Sequence, residues 1–187
     1  MVDLRRELGD LPNGYVVALI VNAADYVQTC IDVLRVLLNE KKLSGIFVTT
    51  NRPCENIFTL LKSNGIDTEK LFGVDIMSQL VLEKSGRTKE CLFVSSPESL
   101  TELSIALTQA VQAMPGNAKF VFLDNATTLL VYNAEETVAR FIHALTIKIR
   151  AWGAVGVLVS LEKETDEKFF SQLSQFSDKV IVVNGSK

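Results

Sequence analysis

Six short apolar runs, largely β-branched, recur along the chain with helical periodicities between them, and this alternation restricts the fold more than any other feature. The runs are residues 15–21 (YVVALIV), 45–50 (GIFVTT), 91–95 (CLFVS), 119–124 (KFVFLD), 155–161 (VGVLVSL) and 179–184 (KVIVVN). They lack polar alternation, so they read as strands buried on both faces. Between them, Val27, Cys30, Ile31, Leu34, Leu37 and Leu38 recur at helical spacing, as do Leu100, Leu103, Leu107, Ala110, Val111 and Met114. Val138, Phe141, Ile142, Leu145, Ile149 and Trp152 form a third stripe, and shorter ones lie around Ile57, Phe58 and Leu61 and around Phe169, Phe170 and Leu173. Strands joined through helices need right-handed crossovers, which predicts one α/β domain over residues 1–187, a three-layer αβα sandwich on a mainly parallel sheet. Residues 66–90 are the least regular, with room for a short extra strand at 74–77 and a charged loop at 83–90.

Helix ends carry their own chemistry. Ser96-Pro97 has the form of a cap followed by a first-turn proline, Pro53 opens the helix around Ile57, and Gly65 and Gly153 stand where chains leave helices. Asn133 with Glu136 three residues on has capping-box spacing.

Composition excludes several classes. With 48% hydrophobic and 22% charged residues, the chain has too much apolar surface for a disordered segment. A net charge of −3 argues against a general nucleic-acid binder, which carries a basic excess. The uncharged stretch 103–118 is broken by Ser104, Thr108, Gln109, Gln112, Pro115, Gly116 and Asn117, so a membrane span is not expected. Asp3, Arg5, Arg6, Glu7 and Asp10 replace the apolar segment of a secretory signal, and a cytoplasmic protein is expected. Cys30, Cys54 and Cys91 are odd in number and form no CxxC pair, so neither a disulfide framework nor a zinc ligand set is expected.

In open α/β sheets, ligands bind beyond the carboxyl ends of the strands. The first strand runs into Asn22-Ala23-Ala24-Asp25-Tyr26-Val27-Gln28-Thr29, where a phosphate loop, GxxxxGK[ST], would stand. Only Thr29 fits. Such a loop needs glycines to turn successive N–H groups inward and a lysine to neutralise phosphate. Here Val27 takes the second glycine position, Gln28 replaces the lysine, and Asp25 would oppose an anion 4 Å away by roughly 4 kcal/mol at an effective dielectric of 20. Asp25 and Gln28 also have capping-box spacing, and we read the segment as a capped helix start whose carboxylate supplies the charge that a phosphate would otherwise bring.

The order of strand, degenerate loop, helix, a strand ending VTTNRP, and KFVFLDNATTLLVYN resembles the RecA superfamily, and within it the KaiC-like proteins of archaea. SPESLTELSIAL, FIHALTIKIRAWGAVGVLVS and FSDKVIVV also look like this family's helices and late strands, so the resemblance covers nearly the whole chain. It implies a P-loop-type fold in which residues 120–124 stand for the Walker B strand and Asp124 for the acid that holds the water shell of Mg²⁺. Thr29 stands at the second magnesium-associated position. Active relatives carry adjacent glutamates after the second strand to activate water; here those places hold Asn51 and Arg52.

Other constellations are weak. His143 is the only histidine and lies on the flank of an apolar stripe; Lys84, Arg87 and Lys89 share a loop with Glu83 and Glu90; Trp152 before Gly153 reads as a helix-end anchor. The expectation is therefore a catalytically inactive KaiC-like pseudo-ATPase, with no catalytic residue and no resident metal, serving as a regulatory or assembly module. Its partner would be another protein or a second copy, not a membrane or nucleic acid. The alternative is a sensor that binds adenine nucleotide or another small ligand weakly, with ATP and magnesium held by another route.

Overall fold

The computed structural model describes residues 2–9, 11–79, 86–117, 119–162 and 167–183. Seven strands form one sheet: β1 (Val16–Val21), β2 (Ser44–Thr49), β3 (Leu71–Asp75), β4 (Cys91–Phe93), β5 (Lys119–Asp124), β6 (Val155–Leu161) and β7 (Lys179–Val183). Their spatial order is β4-β3-β2-β5-β6-β1-β7, and every pairing is parallel. β5 is the central strand and β1 lies inside the β7 edge. All six residues of β1 and of β2 are buried, as uninterrupted apolar runs require in a sheet covered on both faces.

The helices are α1 (Leu4–Gly9), α2 (Tyr26–Leu34, continued by a π-helical stretch Arg35–Glu40), α3 (Cys54–Ser63), α4 (Leu100–Ala113), α5 (Ala126–Tyr132), α6 (Glu135–Ala151) and α7 (Glu167–Phe176). The period-two alternation of the strands divides the core between two faces. Phe120 and Phe122 of β5 join α1, α2 and α3 on one side, and Val121 and Leu123 join α4 to α7 on the other. The three-layer parallel α/β expectation is met.

The sheet has one strand more than the six regular runs, because the extra strand is real and lies at Leu71–Asp75, not at 74–77. β4 ends at Phe93. β3 inserts between β4 and β2, and this brings Cys54 of α3 and Cys91 of β4 together as a disulfide, their Cα atoms 6.7 Å apart. The expectation of no disulfide framework is corrected: the two cysteines stand 37 positions apart with no motif between them, and topology alone makes them neighbours. Gly73 of β3 makes the room, since a Cβ there would meet Cys54 Sγ at 2.2 Å and Cys91 Sγ at 2.9 Å. Cys30 is the buried free cysteine.

Three caps differ from expectation. The Gln28 amide turns forward to Asp32 (3.0 Å), and the Asp25 side chain makes no cap bond to α2. Asn133 donates to the carbonyls of Pro97 (3.0 Å) and Leu129 (3.1 Å), and α6 starts after Ala134 instead. Ser96 closes a turn with Glu98 N (3.2 Å), and α4 begins only at Leu100. Pro53 does precede α3, and Gly65 and Gly153 leave α3 and α6 at φ +70° and +62°. Trp152 stands at the C-cap of α6, packed on the second core. Among the described residues no helix is long and apolar enough to cross a membrane.

Candidate functional site

β2 and β5 are neighbours and β1 lies one strand beyond β5, across β6, and the carboxyl ends of these three strands carry the residues singled out in the sequence. The β1–α2 connection is short: α2 starts at Tyr26, so Asn22 to Asp25 alone form the loop and Val27, Gln28 and Thr29 lie in the first helical turn. Asn22 Nδ2 donates to Asp25 Oδ2 (2.6 Å) while Asp25 N donates to Asn22 Oδ1 (3.0 Å), which closes the loop on itself. None of residues 22–29 has a positive φ, so no left-handed turn aims successive N–H groups at one point. Thr29 N is bonded to Asp25 O (2.9 Å).

Tyr26 takes the place beside Asp124. Its ring is buried and its hydroxyl donates to Oδ1 of Asp124. Among the described residues this is the hydrogen bond that the Asp124 carboxylate receives. Burial pushes the Asp124 carboxyl from the ordinary 3.8 up to about 6, against the opposing pull of the Tyr26 hydroxyl and the Arg52 charge. Burial also raises the Tyr26 phenol well above its usual value, Asp124 adding to the effect, so the proton stays on tyrosine and tyrosine is the donor. Cys30, one turn along α2, is pushed up as well by burial, which leaves an unreactive thiol.

The β2 end is tied to the same place. Thr50 Oγ1 donates to the carbonyl of Asp124 (2.9 Å) and receives Asn125 N (2.8 Å). Asn125 Oδ1 accepts from Thr128 N (2.8 Å) and caps α5, while its Nδ2 is buried with no hydrogen-bond partner of good geometry. Asn51 and Arg52 are exposed, and no carboxylate stands where the paired glutamates of active relatives would. The crevice between α2, α3 and the β5 end, lined by Tyr26, Arg52 and Asp124, has a volume of about 20 Å³, room for one water and not for a nucleotide.

A magnesium nucleotide therefore does not fit the residues present. Its phosphates would need the inward N–H groups that the Asn22–Asp25 turn and α2 do not offer, and its cation would compete with Tyr26 for Asp124. Thr29 and Asp124 both lie at this end of the sheet, Thr29 as a buried first-turn helical residue and Asp124 as the acceptor of the Tyr26 hydroxyl.

Sequence reasoning missed two residues. Tyr26 was only one member of the degenerate loop; its signal was a large phenol where a phosphate loop needs small residues. Asp75, fully buried at the end of β3, accepts from Cys54 N (2.7 Å), Met77 N (2.8 Å), Ser78 N (2.8 Å) and Ser78 Oγ (2.5 Å). It supplies the negative charge at the start of α3. His143 is exposed and stacks on Phe176 at 4.7 Å, a helix-flank residue as expected. Lys84 lies outside the described residues, and Arg87 and Lys89 are exposed.

Solved structures share this fold at low sequence identity. A KaiC-like protein of the hyperthermophilic archaeon Pyrococcus horikoshii is 16% identical, with a TM-score of 0.68 over 94% of this chain and 73% of its own. Flagellar accessory protein FlaH of Methanocaldococcus jannaschii is 12% identical, with a TM-score of 0.66 over 97% and 76%. An uncharacterized P. horikoshii protein, solved in complex with an unknown peptide, is 14% identical, with a TM-score of 0.72 over 98% and 83%. The fold is thus that of KaiC-like and FlaH-like proteins. No curated protein matches the sequence. A family model does match residues 32–183, and the chain belongs to that family, described as a family of unknown function, DUF7504.

Proposed function

We infer that this protein is a KaiC-like pseudo-ATPase that works through protein contacts, as a regulatory or assembly module. The observation that carries the reading is the Tyr26–Asp124 contact, in which a side chain of the same chain occupies the acid that would organise magnesium. The self-closed Asn22–Asp25 turn supports it, as does the absence of a base at Asn51 and Arg52. A fold freed from nucleotide retains the surfaces by which its relatives meet partners, and the peptide bound to one structural neighbour is consistent with such use. Head-to-tail assembly of the RecA type would set these strand ends against a neighbour, in a ring or an open filament. Without phosphates to bridge it, self-association is weak, and a cognate protein binds more tightly.

A sensitive phosphate-release assay on the purified protein, with light scattering before and after addition of candidate partners, tests this. No turnover above a mock purification and a monomer or small oligomer are expected. Turnover that Asp124→Ala abolishes would overturn the reading.

A further inference from the structure

A cavity of about 350 Å³ opens at the other end of the sheet, beside the amino ends of β2 and β3 and the C-terminal end of α4. Its apolar wall is formed by Phe72, Leu92 and Met114, each half-buried at the margin of the second core. Lys70, Arg87 and Lys89 stand around it, with Glu69 the acid of the lining. This is ligand-sized space, and it lies far from the filled crevice at Asp124.

Arg87 is positioned by its backbone. The segment after Gly86 folds back along β4, with Phe93 N on the Gly86 carbonyl (3.0 Å), Thr88 N on the Cys91 carbonyl (2.7 Å) and Cys91 N on Thr88 Oγ1 (2.9 Å). Arg87 is thereby paired across from Leu92, and its guanidinium lies 5.2 Å from the centroid of the Phe72 ring. Among the described residues Lys70, Arg87 and Lys89 form no ion pair, so their charges are available to a ligand at the cavity mouth.

The geometry points to a binding site for a small organic carboxylate with an apolar or aromatic body. The carboxylate meets Arg87 and Lys89, where a guanidinium offers bidentate geometry, and the body lies on Phe72, Leu92 and Met114. Glu69 and the C-terminal end of α4, the negative end of its dipole, limit the charge the site accepts and favour a monoanion over a phosphate ester. This inference is independent of the pseudo-ATPase reading, since it uses neither the strand ends nor Asp124.

Titration of the full chain with 4-phenylbutyrate, followed by methyl and amide NMR, tests it. Saturable shifts at Leu92, Met114 and the Phe72 amide are expected. Arg87→Gln with Lys89→Gln should weaken binding at least about tenfold, and the neutral alcohol 4-phenylbutanol should bind weaker than the acid by a similar factor. Ala113→Trp, which fills the cavity from the exposed end of α4, should abolish the shifts, whereas Arg140→Gln on α6 should leave them unchanged. Shifts that do not saturate or that map elsewhere, equal binding of the alcohol, or unchanged affinity in the double variant would overturn the site.

Discussion

The Tyr26 hydroxyl hydrogen-bonds Oδ1 of Asp124 across 98 residues of sequence, joining the first turn of α2 to the end of the central strand. A phenol here gives the buried acid a donor. Neutral tyrosine is the form this arrangement requires, and burial secures it.

The Asp124 carboxyl makes stability fall as pH rises. Its folded pKa lies above the unfolded value, so the native state holds more protons between them: stability is fully present below about 3.8 and is lost as pH passes about 6. The loss amounts to about 3 kcal/mol by linkage. Asp124→Asn should therefore be more stable than the parent at pH 7, by about 1–3 kcal/mol, and should match it near pH 4. Urea melts at the two pH values decide this.

Tyr26→Phe removes the donor without removing the ring. The carboxyl of Asp124 should then titrate above about 6, visible as a shifted ¹³C carboxyl midpoint, and stability at pH 7 should fall by about 2 kcal/mol. An unmoved midpoint would mean that the hydroxyl does not serve the acid.

Gly73 lies beneath the Cys54–Cys91 disulfide and Gly45 beneath the Phe120 ring, where a Cβ would come within 2.0 Å of the ring's Cζ. Overpacking of this kind costs about 1–3 kcal/mol or more, so Gly73→Ala and Gly45→Ala should both destabilise strongly, and Gly73→Ala should also hinder the disulfide. Non-reducing peptide mapping should recover Cys54 joined to Cys91, with Cys30 alkylated only after unfolding. Reduction should lower stability by about 2–4 kcal/mol.

Gln28→Lys restores the phosphate lysine by name alone. No ATPase activity is expected, because Gln28 lies in a formed helical turn, already reaching Asp32, and the backbone cradle is still missing. Phosphate release above background from this variant would show that the loop can open.

The sheet was legible where an apolar run had no rival reading. Lys119–Asp124 and Val155–Leu161 have the bounds read from the sequence. β3 was displaced because Gly73 interrupts its run and its partner strands lie far off in the chain, so nothing local marked Leu71 as its start. The caps failed for a related reason. Asp25 had two possible partners, the α2 backbone and Asn22, and spacing cannot rank them; the Asn22 amide wins by closing a tight reciprocal turn. At the candidate site the missing glycines and lysine were readable, but what replaces the nucleotide was not. Tyr26 meets Asp124 only once β5 lies near β1, with β6 between them, and that is a property of strand order.

Whether Tyr26 keeps nucleotide away from Asp124 is decided by a crystal structure grown with ATP and Mg²⁺. The Tyr26 hydroxyl should remain bonded to Asp124, the Asn22–Asp25 turn should stay closed, and no ordered phosphates should appear along residues 22–29. Density for a triphosphate against that turn, with magnesium between Thr29 and Asp124 and Tyr26 displaced, would contradict it.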